Sequence, residues 1–179
     1  EKGSTCLIGL KDNIRTVLIG DSHADAILSA ITTQVNLEKE GLAIFTRSGC
    51  PFILNAKKHE DNNQVCYQYN LLRSKELQAY PNAKVILSAR FSRYLNGETD
   101  PERLKGGKAG PGLYFGENTH SSKSELLSQF AFNFEQTVCS IPKNMSTYIV
   151  QPIPEMGLNV PKIMKKKMKK KKKNVDLSL

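Results

Sequence analysis

Cysteine pairs at Cys-x-x-Cys spacing are absent from these 179 residues, and only three histidines accompany the four cysteines. That argues against zinc, which needs a full set of convergent Cys or His ligands, and no cofactor is implied. No run of ~18 apolar residues occurs, so no segment reads as a membrane span. Glu1-Lys2-Gly3-Ser4-Thr5 is not a signal peptide, and the chain therefore reads as an excised piece of a longer protein or a mature form. The body also lacks a charge excess. Of the formal net charge of +9, eight charges come from Lys165, Lys166, Lys167, Lys169, Lys170, Lys171, Lys172 and Lys173, and without them the chain is close to neutral. A basic nucleic-acid-binding face on the folded part is thereby disfavoured.

What is present centres on Thr16-Val17-Leu18-Ile19-Gly20-Asp21-Ser22-His23-Ala24. Apolar and β-branched residues run into Gly20, a polar trio follows, and Ala24, Ile27, Leu28 and Ile31 then recur at helical spacing. The pattern is strand, tight turn, helix. Ser22 in such a turn lies at the carboxyl edge of a sheet and beside a helix N-terminus, whose free N–H groups can face a developing oxyanion. Asp21 or Ser22 as a simple helix cap is the alternative, since both residue types accept hydrogen bonds from first-turn amides.

The remaining pattern predicts strands at Arg15–Ile19, Leu42–Thr46, Lys84–Ala89 and Met145–Val150. Helices are expected over Ala24–Asn36, Cys66–Gln78 with Tyr69, Leu72 and Leu77 inward, and Ser121–Ser140 with Leu126, Leu127, Phe130, Phe134 and Val138 on one face. This order of strands and helices implies parallel β-α-β units and a single α/β domain. Residues 1–13 read as a polar lead-in, and the Gly- and Pro-rich stretch 95–116 as a long mobile loop from which no core can be built. Cys50 and Cys66 would staple a polar loop if the compartment is oxidising; free thiols in a cytosolic protein are the alternative.

Gly20-Asp21-Ser22-His23-Ala24 resembles the first block of the SGNH/GDSL hydrolase family. Three further segments are similar to the SGNH domain fused to membrane acyltransferases that O-acylate bacterial surface polysaccharides: Ser48-Gly49-Cys50-Pro51, the strand running into Ala89-Arg90-Phe91-Ser92-Arg93-Tyr94, and Pro152-Ile153-Pro154-Glu155. The resemblance implies a three-layer, flavodoxin-like parallel sheet flanked by helices, over residues 1–163, truncated at its C-terminal end. It implies Ser22 as nucleophile and the Ser22 and Gly49 amides as oxyanion hole, and Arg90 could add guanidinium donors there or pair structurally with a carboxylate. The partners it implies are a glycan acceptor such as lipopolysaccharide or peptidoglycan and a membrane-embedded acyltransferase domain, on the periplasmic side of an inner-membrane protein.

The chain departs from that family in two places. The Gly-x-Asn-Asp block is missing after the third strand, and no Asp-x-x-His occurs anywhere. Among the histidines present, His23 adjoins Ser22 and shapes the turn, His59 reads as solvated, and His120 in Glu117-Asn118-Thr119-His120 is the remaining candidate base, though in the wrong chain order. A non-catalytic domain that binds a glycan or positions a partner is the alternative function. Residues 164–179 read as a disordered lysine-rich tail able to contact anionic surfaces.

Overall fold

A computed structural model describes residues 5–59, 61, 64–98, 104, 110–117, 121–151 and 160–175. In chain order the elements are β1 (Cys6–Gly9), β2 (Ile14–Gly20), α1 (Ser22–Thr32), β3 (Gly41–Thr46), β4 (Ala56–Lys58), α2 (Val65–Leu77), β5 (Lys84–Ser88), α3 (Phe91–Asn96), β6 (Leu113–Phe115), α4 (Lys123–Ser140), β7 (Thr147–Ile149) and α5 (Val160–Val175).

The main sheet has strand order β1-β3-β2-β5-β7. The four strands predicted from sequence run parallel to one another, with Gly20 opposite both Thr46 and Ser88. Because β2 is apolar almost throughout, it is covered on both faces. Leu18 packs with Ala24, Leu42 and the α1 residues Ile27, Leu28 and Ile31 on one side. Val17 and Ile19 face the other, with Phe45, Val85, Leu87, Leu77 of α2 and Leu126 of α4. Helices therefore flank the sheet on both sides, the three-layer α/β architecture.

Several details differ from the sequence reading. The lead-in carries an edge strand: β1 pairs antiparallel with β3, Cys6 opposite Ile44 and Gly9 opposite Gly41. Four residues are too few for a periodic signal, and the pairing partner lies far along the chain. In the supposed loop 95–116, β6 pairs antiparallel with β4 and buries Leu113 and Phe115, so this stretch does contribute to the core. Helix α2 turns inward Cys66, Asn70, Arg73 and Leu77, whereas Leu72 is exposed. Asn70 can be buried because its Nδ2 donates to the carbonyls of Pro51 and Ile53 at 2.9 and 3.0 Å. The Arg73 guanidinium lies over the rings of Phe45 and Tyr69, 4.9 and 4.8 Å from their centroids, and donates to Thr5 and Glu76. On α4, Leu126 is buried but Leu127 is exposed, while Ser122 supplies the cap by accepting the Glu125 N–H at 3.2 Å.

Of the lysine-rich end, read from sequence as a tail over 164–179, residues up to Val175 lie in helix α5, which begins at Val160. Lysine loses little rotamer freedom in a helix, and Pro161 in the first turn needs no N–H partner.

Cys50 and Cys66 are bridged, their Cα atoms 5.5 Å apart, while Cys6 and Cys139 are free and exposed. The bridge fixes the segment after β3 to the first turn of α2. For two cysteines 16 residues apart, loop closure accounts for about 3 kcal/mol. Replacing both by alanine is expected to lower the urea-unfolding free energy by about that amount. An unchanged midpoint and slope would show that the cross-link adds nothing.

Candidate active site

Parallel pairing in register brings the residues after β2, β3 and β5 to one edge of the sheet. Gly20 lies between Thr46 and Ser88, paired with each, so the turns that follow the three strands, with Asp21-Ser22, Arg47-Ser48-Gly49 and Ala89-Arg90, leave the sheet at the same edge. Two backbone bonds tie it: Arg47 N–H donates to the Gly20 carbonyl at 3.0 Å and Asp21 N–H to the Ser88 carbonyl at 3.3 Å. At Gly20, with φ +149°, an added Cβ would lie 1.8 Å from the Ser88 carbonyl oxygen. Only glycine permits β5 to come so close.

The structure decides which residue caps α1. Asp21 is buried and accepts the His23 N–H at 2.8 Å on Oδ1. Its Oδ2 accepts the Arg90 N–H at 3.0 Å and the Tyr94 hydroxyl at 2.8 Å. A buried carboxylate is costly unless such donors surround it, and here they join α1 to the β5–α3 turn and to α3 itself. The His23 Nδ1 lies 3.7 Å from Oδ1 of Asp21, with the imidazole about a third exposed at 37%. Burial, and then the adjacent Asp21 carboxylate, hold the Tyr94 hydroxyl far above the usual phenol range. Tyr94 is therefore a permanent donor. Tyr94→Phe leaves Oδ2 one hydrogen bond short and is expected to cost about 1–3 kcal/mol, read by urea denaturation; no loss would show that water replaces the phenol.

With the cap assigned to Asp21, Ser22 is left exposed, and its hydroxyl has no hydrogen-bond partner among the described residues. Neither the Ser22 N–H nor the Gly49 N–H is engaged there either. An exposed hydroxyl and unengaged backbone amides, on turns that leave the sheet at the same edge, are the kinds of group that attack on a carbonyl and stabilisation of an oxyanion require.

Gly49 has φ +68°, and the Lys58 ammonium of β4 comes within 3.2 Å of where a Cβ would stand. No sequence signal marked Lys58, because the β4–β6 pair that carries it spans distant segments. Around Gly49, the Cys50–Cys66 bridge, the Asn70 bonds to the Pro51 and Ile53 carbonyls, and the Tyr69 hydroxyl donating to the Thr46 carbonyl at 3.0 Å hold the loop. The Tyr69 hydroxyl is itself pushed up by burial, against opposing Arg73 and Arg47 charges. Thr46 also donates to Asp25 of α1.

Arg90 is placed at the edge but faces a carboxylate: its Nη2 is 4.0 Å from Oε1 of the buried Glu98, and the Arg93 Nε is 3.3 Å from Oε2. His59 lies against the Tyr114 ring, centroids 4.9 Å apart. His120 and the Pro152–Glu155 segment lie outside the described residues. Among the described residues no cluster of three or more His, Cys, Asp or Glu side chains could hold a metal ion, and no helix is long and apolar enough to cross a membrane.

The profile of one protein family, the SGNH domain (fused to AT3 domains), matches residues 1–179. No curated protein and no solved structure matches the chain. Fusion to AT3 domains associates this kind of domain with acyl transfer or ester cleavage and with a membrane acyltransferase as its partner domain. The capped Gly-Asp-Ser turn, the three-layer α/β sheet and the full-length match agree: the chain belongs to the SGNH domain family, in the form fused to AT3 acyltransferase domains.

Proposed function

We propose that the domain transfers or hydrolyses an O-acyl group, of the acetyl class, through an acyl-Ser22 intermediate. The single observation that carries this reading is the division of labour in the turn: Asp21 takes the cap, and Ser22 keeps a free, exposed hydroxyl beside unengaged N–H groups. Ser22 Oγ attacks the ester carbonyl, the Ser22 and Gly49 amides hold the oxyanion, and collapse expels the alcohol. The acyl-serine then passes its acyl group to a sugar hydroxyl of a surface glycan, or to water. Arg90, with its Nη2 4.0 Å from Glu98, is a further guanidinium donor for the oxyanion in this reading, and Lys58 adds positive potential beside Gly49.

Ser22 needs a base, and no Asp-x-x-His occurs among these residues; this reading assigns that role to a histidine supplied from outside them. The acyl group comes from the membrane domain in the same assembly. A disulfide at the edge of the site supports an oxidising, extracytoplasmic setting. The test is turnover of an activated aryl acetate by the chain alone, by a product extended with an Asp-x-x-His segment, and by the extended product with Ser22→Ala.

A second reading has a specific observation behind it. Among the described residues no histidine bonds the Ser22 hydroxyl, and a domain without a base would bind a glycan or position a partner. Saturable glycan binding by an extended product that has no esterase or transferase activity would favour it.

A further inference from the structure

Helix α5 carries chemistry that the sheet-edge site does not use. Nine lysines lie between Lys162 and Lys173, and no acidic residue occurs in the helix. Side chains 162–169 are all exposed, including the large apolar ones: Ile163 at 38%, Met164 at 58% and Met168 at 68%. At 3.6 residues per turn, Ile163, Met164 and Met168 fall within an arc of ~140°, and Lys162, Lys165, Lys166 and Lys169 fall on the opposite side. Lys167 projects from the apolar arc, where a lysine can lay its stem on apolar surface and carry its charge outward.

Water alone serves a helix of this composition poorly. Like charges three and four residues apart repel, and the exposed methionines gain nothing from solvent. An anionic bilayer surface answers both features, with headgroup phosphates for the lysines and an apolar interior edge for the methionines. A nucleic acid would answer only the charge. The family's fusion to a membrane acyltransferase brings a bilayer within reach of the domain.

We propose that α5 docks lengthwise on an anionic lipid surface, seating Ile163, Met164 and Met168 among the headgroups, with the lysines around them held in the negative potential of the lipid phosphates. The docking holds the domain against the membrane independently of any acyl chemistry at Ser22.

The sequence contains no tryptophan, so Met164→Trp places a lone fluorescent reporter in the arc. Its emission is expected to shift to the blue with vesicles of phosphatidylcholine and phosphatidylglycerol, not with phosphatidylcholine alone, and the shift should disappear in molar salt. Each lysine near the surface is worth about fivefold in partition. Adding Lys165→Gln, Lys166→Gln and Lys169→Gln should therefore weaken binding on the order of 100-fold. Met168→Ser in the reporter chain should weaken it several-fold at unchanged charge. Equal binding to neutral and anionic vesicles, or none to either, would overturn the proposal. So would a Met168→Ser chain that binds as well as its parent, or tight binding to polyuridylate under conditions that leave anionic vesicles unbound. Circular dichroism of each variant checks that the domain is intact, since all the substituted positions are exposed.

Discussion

Ser22→Ala is expected to erase aryl-acetate turnover in a product extended with an Asp-x-x-His segment, while leaving its thermal midpoint almost unchanged. A serine hydroxyl at its ordinary pKa is a weak nucleophile without a base. In serine-triad enzymes, loss of the nucleophile or the histidine leaves only ~10³–10⁴ over water, from the oxyanion hole and binding. The chain of 179 residues should therefore turn over the ester barely, the extended product faster by orders of magnitude, and its Ser22→Ala form no faster than the short chain. The stability measurement separates the two readings of the turn. Loss of a helix cap costs about 1 kcal/mol, but the cap here is Asp21, so Ser22→Ala should cost a few tenths at most. If the extended Ser22→Ala product hydrolyses as fast as its parent, Ser22 is not the nucleophile.

The second large effect belongs to Gly20→Ala. The new Cβ would stand 1.8 Å from the Ser88 carbonyl oxygen, 2.8 Å from its carbon and 3.2 Å from the Ala24 Cβ. The first two atoms are backbone in the adjacent central strand and cannot swing aside as a flexible side chain would. Accommodation requires β2 and β5 to part at the point where the Asp21–Ser88 bond and the Asp21 cap meet. Stability is expected to fall by more than about 4 kcal/mol, in the range reserved for gross steric or network disruption. Gly116→Ala is the control: φ is +67° there but nothing lies within 4 Å of an added Cβ. It should cost only the left-handed backbone penalty of about 1–2 kcal/mol. Equal midpoints for the two variants would show that the close approach at Gly20 does not constrain the fold.

The parallel strands and their helices were legible because each is a local pattern. Val17-Leu18-Ile19 is too apolar for anything but a doubly covered strand, and the switch to helical spacing after Gly20 marks the turn that carries Ser22. Local patterns failed where pairing is remote or burial is polar. Cys6–Gly9 and Leu113–Phe115 are short segments that become strands only by meeting β3 and β4. Leu72 was expected inward by hydrophobicity, yet α2 buries Asn70 and Arg73 instead, because two carbonyls and two aromatic rings were there to receive them.

By itself the sequence determined the α/β class and the strand–turn–helix that carries Ser22, since both follow from local pattern, whereas it left Cys50 and Cys66 either bridged or free and the folded chain decided for the bridge. Only the tertiary structure decided that Asp21, not Ser22, caps α1. The donors that make the burial of Asp21 affordable, the Arg90 N–H and the Tyr94 hydroxyl, arrive from the end of β5 and from α3, about seventy residues away. The same holds for Lys58 beside Gly49, which β4 brings in through its pairing with β6. A carboxylate's role is set by the donors that converge on it, and convergence is a property of the folded chain.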